Sequence, residues 1–180
     1  MTEHGEDIRK INLTESKYPV ILYLQLVRVC AGRREVIMKL ALRILLGVIL
    51  VATSIAKFMN LEGFEAVLHS YRILPQGVHW AAALAISTSE LAVGLWLFWG
   101  RHLRLAALSC LALHCTYAIL TGYILLRGIP IMNCGCFGAY FARPLSWLTV
   151  WQNLLLAGLS FVLIRLAVAK NDQRIARGAT

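Results

Sequence analysis

Four apolar runs, each long enough to cross a lipid bilayer, constrain this chain more than any other feature of its sequence. A hydrocarbon core about 30 Å thick needs roughly 20 consecutive helical residues. The four runs reach that length and cover Ile37 to Phe58, Gly77 to Trp99, Leu105 to Leu126, and Leu145 to Leu166. The sequence therefore predicts an all-α integral membrane protein, a four-transmembrane-helix bundle whose solvent is the lipid bilayer.

The composition of the 180-residue chain agrees with this prediction: 59% of residues are hydrophobic, 15% are charged, and the mean hydropathy is +0.67. These proportions are wrong for a soluble globular domain. The net charge of +9 would suit a nucleic-acid partner in a soluble protein. Here the basic residues stand at the ends of the apolar runs and no recognised binding module accompanies them, so we expect no nucleic-acid partner.

The distribution of lysine and arginine predicts the orientation, because cytoplasmic loops of membrane proteins retain positive charge. Only residues 100–104 separate the second run from the third, which predicts a tight helical hairpin. With both termini cytoplasmic, 14 of the 18 basic residues lie inside, and the four outside are Lys57, Arg72, Arg127 and Arg143. We therefore expect both termini on the cytoplasmic side of a bacterial inner membrane, and residues 59–76 and 127–144 on the periplasmic side.

The same limits predict three segments. Residues 1–36 form an amino-terminal cytoplasmic or interfacial extension, residues 37–167 form the membrane domain, and residues 168–180 form a basic cytoplasmic tail. Within the extension, Val20 to Val29 is apolar but short and interrupted by polar residues, which favours an interfacial or docked helix. The charges there precede no convincing cleavage site, so we expect no signal peptide.

The most concentrated reactive chemistry is Cys134-Gly135-Cys136, in the loop after the third run. Two thiols one residue apart can close only a small, strained ring, and Gly135 supplies the backbone freedom that closure needs. Strain makes a disulfide easier to reduce, so the spacing favours reversible thiol-disulfide exchange by Cys134 and Cys136 over a structural bond. Arg127 and Arg143 flank the loop, where a positive charge would lower a thiol pKa.

Two other uses of this pair stay open. The cysteines could be small residues in a turn, or they could bind a metal ion together with His69 and His79, which are expected on the same side. The spacing of those four residues is not a recognised zinc pattern, and we expect no metal. An oxidising compartment favours thiol-disulfide exchange.

Ionisable residues inside the predicted spans each need a partner or a purpose, since one at the centre of a span costs about 2.5–3.5 kcal/mol on insertion scales. Glu90 lies about 15 Å from the cytoplasmic end of its helix, by helix rise, and His114 lies at a similar depth. Arg43 could extend toward them, so we expect Glu90 to pair with Arg43 or with His114. A structural pair that fixes helix register is favoured over proton or quinone chemistry.

Three polar residues in the outer half of the spans lie closer to the cysteine loop. Lys57, Gln152 and Asn153 could line a cavity for an electron acceptor, and a quinone is the candidate cofactor. The simpler expectation is that Lys57 extends to the interface and that Gln152 and Asn153 form hydrogen bonds across helices.

Cys110 and Cys115 both lie inside the third run. Five residues along a helix rotate by about 500°, so these two side chains point about 140° apart and cannot pair with each other. Cys115 also lies about 18 Å below Arg127 by helix rise. We interpret both as small packing residues.

Several motifs of this chain match one family. They are Lys57-Phe58, Tyr71-Arg72-Ile73-Leu74-Pro75, Glu90-Leu91 with Gly94, and Arg127-Gly128 leading to Cys134-Gly135-Cys136-Phe137-Gly138. With these motifs and its four spans, the chain resembles the MauE branch of the DoxX-like membrane proteins over residues 38–167. It departs from the expected pattern in the fourth span, where Trp151-Gln152-Asn153 replaces an Arg-Asn pair.

The resemblance implies maturation of periplasmic redox proteins, notably of the disulfide-rich small subunit of methylamine dehydrogenase. It implies two partners, a thioredoxin-like periplasmic protein and a disulfide-containing client, with which Cys134 and Cys136 would exchange. The chain would then be a thiol-disulfide oxidoreductase. A non-catalytic membrane assembly partner, and a metal or small-solute carrier that uses the loop cysteines as ligands, stay open as alternatives.

Overall fold

The computed structural model describes residues 18–75, 77–138 and 143–178, with side chains described for 33–75, 77–138 and 143–168. In those residues the secondary structure is helical. The helices are α1 (Tyr18–Phe58), α2 (Leu61–Ser70), α3 (His79–Trp99), α4 (Leu103–Leu126) and α5 (Trp147–Gly178).

The chain divides into two compact units, the first ending at Ile37 and the second beginning at Met38. The described part of the first unit, from Tyr18, is helical, where the sequence predicts a short interfacial or docked helix. The second unit holds the remainder of α1 and all of α2 to α5. The candidate functional site lies wholly in the second unit.

Four helices are long and apolar enough to cross a membrane, as the sequence predicts. They cover Arg33–Phe58, His79–Trp99, Leu103–Leu126 and Trp147–Val168. Large apolar side chains point outward from them; Ile119 is 73% exposed and Leu155 is 64% exposed. Outward apolar side chains of this kind suit a lipid solvent, in which the bundle interior is not more apolar than its surface.

The predicted hairpin between the second and third spans is present. Gly100 caps the end of α3: its φ of 72° is left-handed, and its N–H donates to the Trp96 carbonyl at 3.1 Å. Arg43 donates a hydrogen bond to the Phe98 carbonyl at 2.5 Å. Its cation therefore satisfies a carbonyl at the end of α3, where the helix dipole favours positive charge.

Helix α2 lies in the predicted connection 59–76, within which no secondary structure was predicted. Asn60 begins it as an N-cap, because its side chain accepts a hydrogen bond from the Gly63 N–H at 2.8 Å. Phe64, Val67 and Leu68 form its buried face. The helix is ten residues long, so it is too short to cross a membrane and its apolar length gives no signal of a span.

Helices α1 and α3 pack closely through two glycines. A Cβ atom on Gly94 would lie 2.8 Å from Val51 Cγ2 and 3.2 Å from the Gly47 carbonyl oxygen. Ser54 adds a hydrogen bond between these helices, donating to the Ser87 carbonyl at 2.7 Å. Small residues of this kind allow backbones to approach inside a membrane. The close approach brings the next turn of α1 against the middle of α3.

Two apolar clusters pack the interior of the second unit. One, around Phe64 and Ile124, lies at the end of the bundle that holds α2 and the cysteine loop, which we call the loop end. The other, around Leu46 and Leu163, includes Cys110. Ser160 of α5 donates a hydrogen bond to Cys110 Sγ at 3.2 Å, so Cys110 takes part in packing between α4 and α5.

Candidate functional site

An ion pair between α1 and α3 forms the polar centre of the site. Lys57 Nζ lies 2.7 Å from Glu90 Oε1 and 2.5 Å from Glu90 Oε2. The two side chains are only 5% and 2% exposed. A pair this buried is costly to desolvate, so its attraction must be supported by further hydrogen bonds.

Two hydroxyl groups supply those hydrogen bonds. Thr53 Oγ1 donates to Glu90 Oε2 at 3.2 Å, and the Tyr117 hydroxyl of α4 donates to Glu90 Oε1. The ammonium group of Lys57 also lies over the Phe64 ring, 5.4 Å from its centroid, in a cation–π contact. The network thus joins α1, α3 and α4 with α2 alongside.

The expectation that Glu90 has a buried partner on another helix is confirmed, but the expected identity of that partner is wrong. Glu90 pairs with Lys57, whereas Arg43 binds the end of α3 and His114 makes no hydrogen bond to Glu90. The expectation that Lys57 extends to the interface is also wrong, since its side chain is directed into the bundle, where Glu90 satisfies its charge.

The cysteine loop is held in place by backbone hydrogen bonds. Cys134 N–H donates to the Arg143 carbonyl at 2.8 Å, and Leu145 N–H donates to the Ile131 carbonyl at 3.0 Å. The Tyr71 hydroxyl, buried after α2, donates to the Cys134 carbonyl at 2.6 Å. These bonds fix the segment that carries the thiols against the folded interior.

Two glycines allow this loop to approach the helices closely. A Cβ atom on Gly135 would lie 2.9 Å from Val67 Cγ1, and one on Gly138 would lie 2.8 Å from the Ala56 carbonyl oxygen. Both glycines also have left-handed backbones, with φ of 66° and 65°. Gly135 thus has a second role beyond the conformational freedom expected from the sequence: it seats the loop on α2.

The two thiols differ in burial and in acidity. Both are free, and Cys134 is buried while Cys136 is partly exposed. A hydrogen bond from the Cys136 thiol, with a smaller contribution from the charge of Arg143, lowers the pKa of Cys134 to about 6. The same interaction, and burial, raise the pKa of Cys136, because its ionisation would place a second negative charge beside the first. Cys134 is therefore the thiolate of the pair at neutral pH.

Of the two arginines expected to act on the thiols, Arg143 lowers the pKa of Cys134. Arg127 is exposed and lies over the ring of Tyr123, 5.7 Å from its centroid. Its guanidinium group therefore contacts the surface of α4.

A cavity of about 340 Å³ joins the thiols to the ion pair. Its loop-end wall contains Cys134, Gly135 and Cys136, and its inner wall contains Lys57 and Glu90. Apolar side chains cover much of the remaining surface; they include Ile49, Leu50, Leu68, Ile86, Leu120 and Leu156. The arrangement places two thiols, a buried ion pair and apolar walls around one space.

Three further polar residues named in the sequence analysis line this cavity, namely His114, Gln152 and Asn153. His114 is only 3% exposed, and neither of its ring nitrogens makes a well-formed hydrogen bond, although the Asn153 amide lies beside the ring. The Asn153 amide itself donates to the Thr149 carbonyl of its own helix at 2.9 Å. His114 is thus a buried polar group that faces the cavity without a satisfied partner.

The four residues of the alternative metal site, Cys134, Cys136, His69 and His79, do not form one group. His69 and His79 lie together, with ring centroids 4.9 Å apart. Within the part of the chain that the structure describes, no three His, Cys, Asp or Glu side chains come close enough to hold a metal ion.

Most residues of this site could be identified from the sequence. The roles of Thr53, Tyr71 and Tyr117 in it were not predicted. Their hydroxyl groups carry no charge, so these residues do not stand out in an apolar sequence. Tyr71 belongs to a motif that matched the family, and that match was the available signal. Tyr117 lies one turn from His114 on α4, which is the spacing that places two side chains on one helix face.

Four helices able to span a membrane, and a loop whose two thiols line a cavity in the second unit, define a multi-pass membrane protein with a thiol-containing loop. The family model described as methylamine utilisation protein MauE matches residues 35–166. That match covers most of the chain, and the chain belongs to the MauE family.

Curated relatives agree with the family model. The chain is 32% identical over 140 residues to methylamine utilization protein MauE of Paracoccus denitrificans, covering 78% of this chain and 75% of the relative. It is 28% identical over 127 residues to the Paracoccus versutus protein of the same name, covering 71% and 68%. It is 29% identical over 125 residues to that of Methylorubrum extorquens, covering 69% and 66%. No solved structure matches the chain significantly.

Proposed function

We propose that this MauE-family protein is a membrane thiol-disulfide oxidoreductase that acts in the maturation of periplasmic redox proteins. The observation that carries the proposal is the unequal thiol pair, a buried Cys134 of low pKa beside a more exposed Cys136. The names of the relatives place them in methylamine utilisation. The disulfide-rich small subunit of methylamine dehydrogenase is accordingly the client we propose, with a thioredoxin-like periplasmic protein as partner.

The unequal thiols favour one direction of exchange. When the pair is oxidised, a partner thiolate attacks the more exposed sulfur, Cys136, and forms a mixed disulfide with it. Cys134 then leaves as a thiolate, and a thiol of low pKa is the better leaving group. The second partner thiol releases Cys136, so the partner gains a disulfide and the pair becomes a dithiol. The pair would serve as a disulfide donor.

This chemistry requires the loop end to face an oxidising compartment. The charge distribution supports that orientation, because 14 of the 18 lysine and arginine residues would then lie on the cytoplasmic side. We therefore propose a bacterial inner-membrane location with both termini cytoplasmic and the cysteine loop periplasmic.

Trapping tests the proposal. We expect Cys134→Ser, which keeps the exposed Cys136, to accumulate a mixed disulfide with a periplasmic protein, seen on non-reducing gels. The variant that replaces both loop cysteines should trap nothing and should lower the number of disulfides in the client. Cys115→Ser is the matched control, since Cys115 lies outside the loop, and it should behave as the native chain does.

The same variants separate an oxidoreductase from a non-catalytic assembly partner. An assembly partner needs one cysteine to hold its client, so a single loop variant would trap the client and still support its maturation. An oxidoreductase needs both sulfurs, so either single variant should stop maturation. If the double variant matures the client normally, the proposal is wrong.

A further inference from the structure

The cavity beneath the thiols has features that disulfide exchange with a protein does not use. Its space of about 340 Å³ extends from the loop that carries the thiols down between the helices to Lys57 and Glu90. His114 faces it with unsatisfied ring nitrogens. A buried polar group without a partner destabilises the fold, and a ligand that accepts or donates a hydrogen bond there would remove that cost.

We propose that this cavity binds a membrane quinone, which reoxidises Cys134 and Cys136. The inference rests on the proposed function and names the electron acceptor of that same site. Small-molecule pockets have volumes of about 300–1,000 Å³, apolar walls and a few convergent polar groups, and this cavity fits that description. A quinone head is a flat apolar ring whose carbonyl oxygens accept hydrogen bonds, which matches apolar walls with a free imidazole donor.

Part of the cavity wall belongs to the outer, membrane-facing surface of the bundle. Leu155 of α5 lines it and is 64% exposed, within the span Trp147–Val168. Ile49 of α1 lines the cavity too. Because Leu155 is exposed on a span, this side of the cavity borders the hydrocarbon region, from which a ligand dissolved in the membrane can approach.

The redox step balances between the pair and the quinone. The Cys134 thiolate and the Cys136 thiol lose two electrons and one proton as their Sγ–Sγ bond forms. The quinone gains the two electrons, that proton and a second proton from water, and becomes a quinol. The disulfide passes to the protein partner, whose two thiols supply the electrons of the next cycle. Glu90, Lys57 and Tyr117 form a hydrogen-bonded group on the cavity wall that can hold a proton there.

Binding of decylubiquinone to the purified full-length chain in detergent micelles tests the inference directly. The first measurement uses the variant that replaces both loop cysteines, since that variant cannot carry out exchange and yet retains the cavity. We expect saturable binding. Dodecanol, an alkyl chain without quinone carbonyls, should not displace the quinone at equal concentration.

Substitution of His114 identifies the site. We expect His114→Leu to raise the Kd for decylubiquinone about tenfold, the equivalent of a hydrogen bond worth about 1.4 kcal/mol. His114→Gln keeps a donor at this position and should recover most of the affinity. His79→Leu is the matched control, because His79 is also buried but lies outside the cavity. The Kd of this variant for decylubiquinone should equal that of the native chain.

The outcomes separate this inference from the proposed function. Absence of saturable binding, equal displacement by dodecanol, or an unchanged Kd in both His114 variants would overturn quinone binding. Trapping of a partner by Cys134→Ser would leave disulfide exchange intact in that case. Conversely, if the chain binds quinone but traps no partner, quinone binding is supported and the proposed disulfide exchange is wrong.

Discussion

Lys57 and Glu90, 33 residues apart in sequence, meet inside the bundle with Lys57 Nζ 2.5 Å from Glu90 Oε2. The contact joins the last turn of α1 to the middle of α3. Gly138 packs on the backbone of Ala56 and Lys57, so the thiol loop and the ion pair share one support. Changes at the pair should therefore affect both the stability of the bundle and the position of the thiols.

Removal of one partner of this pair should destabilise the protein strongly. We expect Lys57→Met or Glu90→Gln to lower the free energy of unfolding by about 3–5 kcal/mol, because each leaves a buried polar group poorly paired. The double variant should cost less than the two single costs combined, since it leaves neither charge alone. Thermal unfolding in detergent micelles, followed by circular dichroism, measures these differences.

Arg127→Met provides the control for that series. It also removes a cation near the loop end, but from an exposed side chain, so its effect should stay within about 0.5 kcal/mol. Additive effects of Lys57→Met and Glu90→Gln would contradict a direct pair.

The acidity of Cys134 predicts a pH dependence for its reaction with a small alkylating reagent. The hydrogen bond from Cys136 lowers the pKa of Cys134 from 9.0 to about 6. The alkylation rate should therefore rise through pH 6 and level off at neutral pH. Because folding lowers this pKa, the thiolate's contribution to stability is present above the ordinary pKa and is lost as pH falls through about 6.

Two variants test the cause of that shift in a background where the cysteines outside the loop are replaced. Cys136→Ala removes the largest cause and should move the midpoint of alkylation toward the ordinary thiol pKa. Arg143→Gln removes a smaller cause and should move the midpoint less, in the same direction. An unchanged midpoint in Cys136→Ala would show that the hydrogen bond is not the cause.

The spans and the thiol pair could be predicted from the sequence because both signals are local. Apolar length alone predicts a membrane helix, and two cysteines in one loop are adjacent however the chain folds. The partner of Glu90 could not be predicted in this way. Depth along a helix favoured Arg43 and His114, but which helix face meets Glu90 depends on the glycine contacts between α1 and α3.

Helix α2 was not predicted from the sequence, for a related reason. Its apolar residues follow a helical period, but the stretch Leu61–Ser70 is interrupted by Glu62 and Glu65. The signal that could have revealed it is the N-cap Asn60 followed by apolar residues three and four positions apart. Its role in the site, where Phe64 and Val67 contact the loop glycine, depends on tertiary packing.

The proposed orientation predicts where introduced cysteines can be labelled. Met132 is 80% exposed in the loop that carries the thiols, so Met132→Cys should react with a membrane-impermeant maleimide in intact cells with a permeable outer membrane. Arg101→Cys, in the hairpin at the opposite end, should react only after the inner membrane is disrupted. The native cysteines are replaced in both variants. The reverse pattern of labelling would contradict a periplasmic loop.

Gly138 and Gly128 form a matched pair that separates backbone strain from packing, because both have a φ of 65°. A Cβ atom on Gly128 meets nothing within 4 Å, whereas one on Gly138 lies 2.8 Å from the backbone oxygen of Ala56. Left-handed strain at an alanine costs about 1–2 kcal/mol, and Gly128→Ala should lose about that much stability. Gly138→Ala should lose distinctly more, since a backbone oxygen cannot turn away as a side chain can.

The two substitutions should also differ in their effect on the thiols. Gly138→Ala pushes the loop away from α1, so the hydrogen bond between Cys136 and Cys134 should weaken and the alkylation midpoint of Cys134 should rise. Gly128→Ala leaves the loop seated, and its midpoint should match that of the native chain. Thermal unfolding and alkylation measured on the same samples test both effects. Equal stability losses with equal midpoints would show that the close approach of Gly138 to α1 does not position the thiol pair.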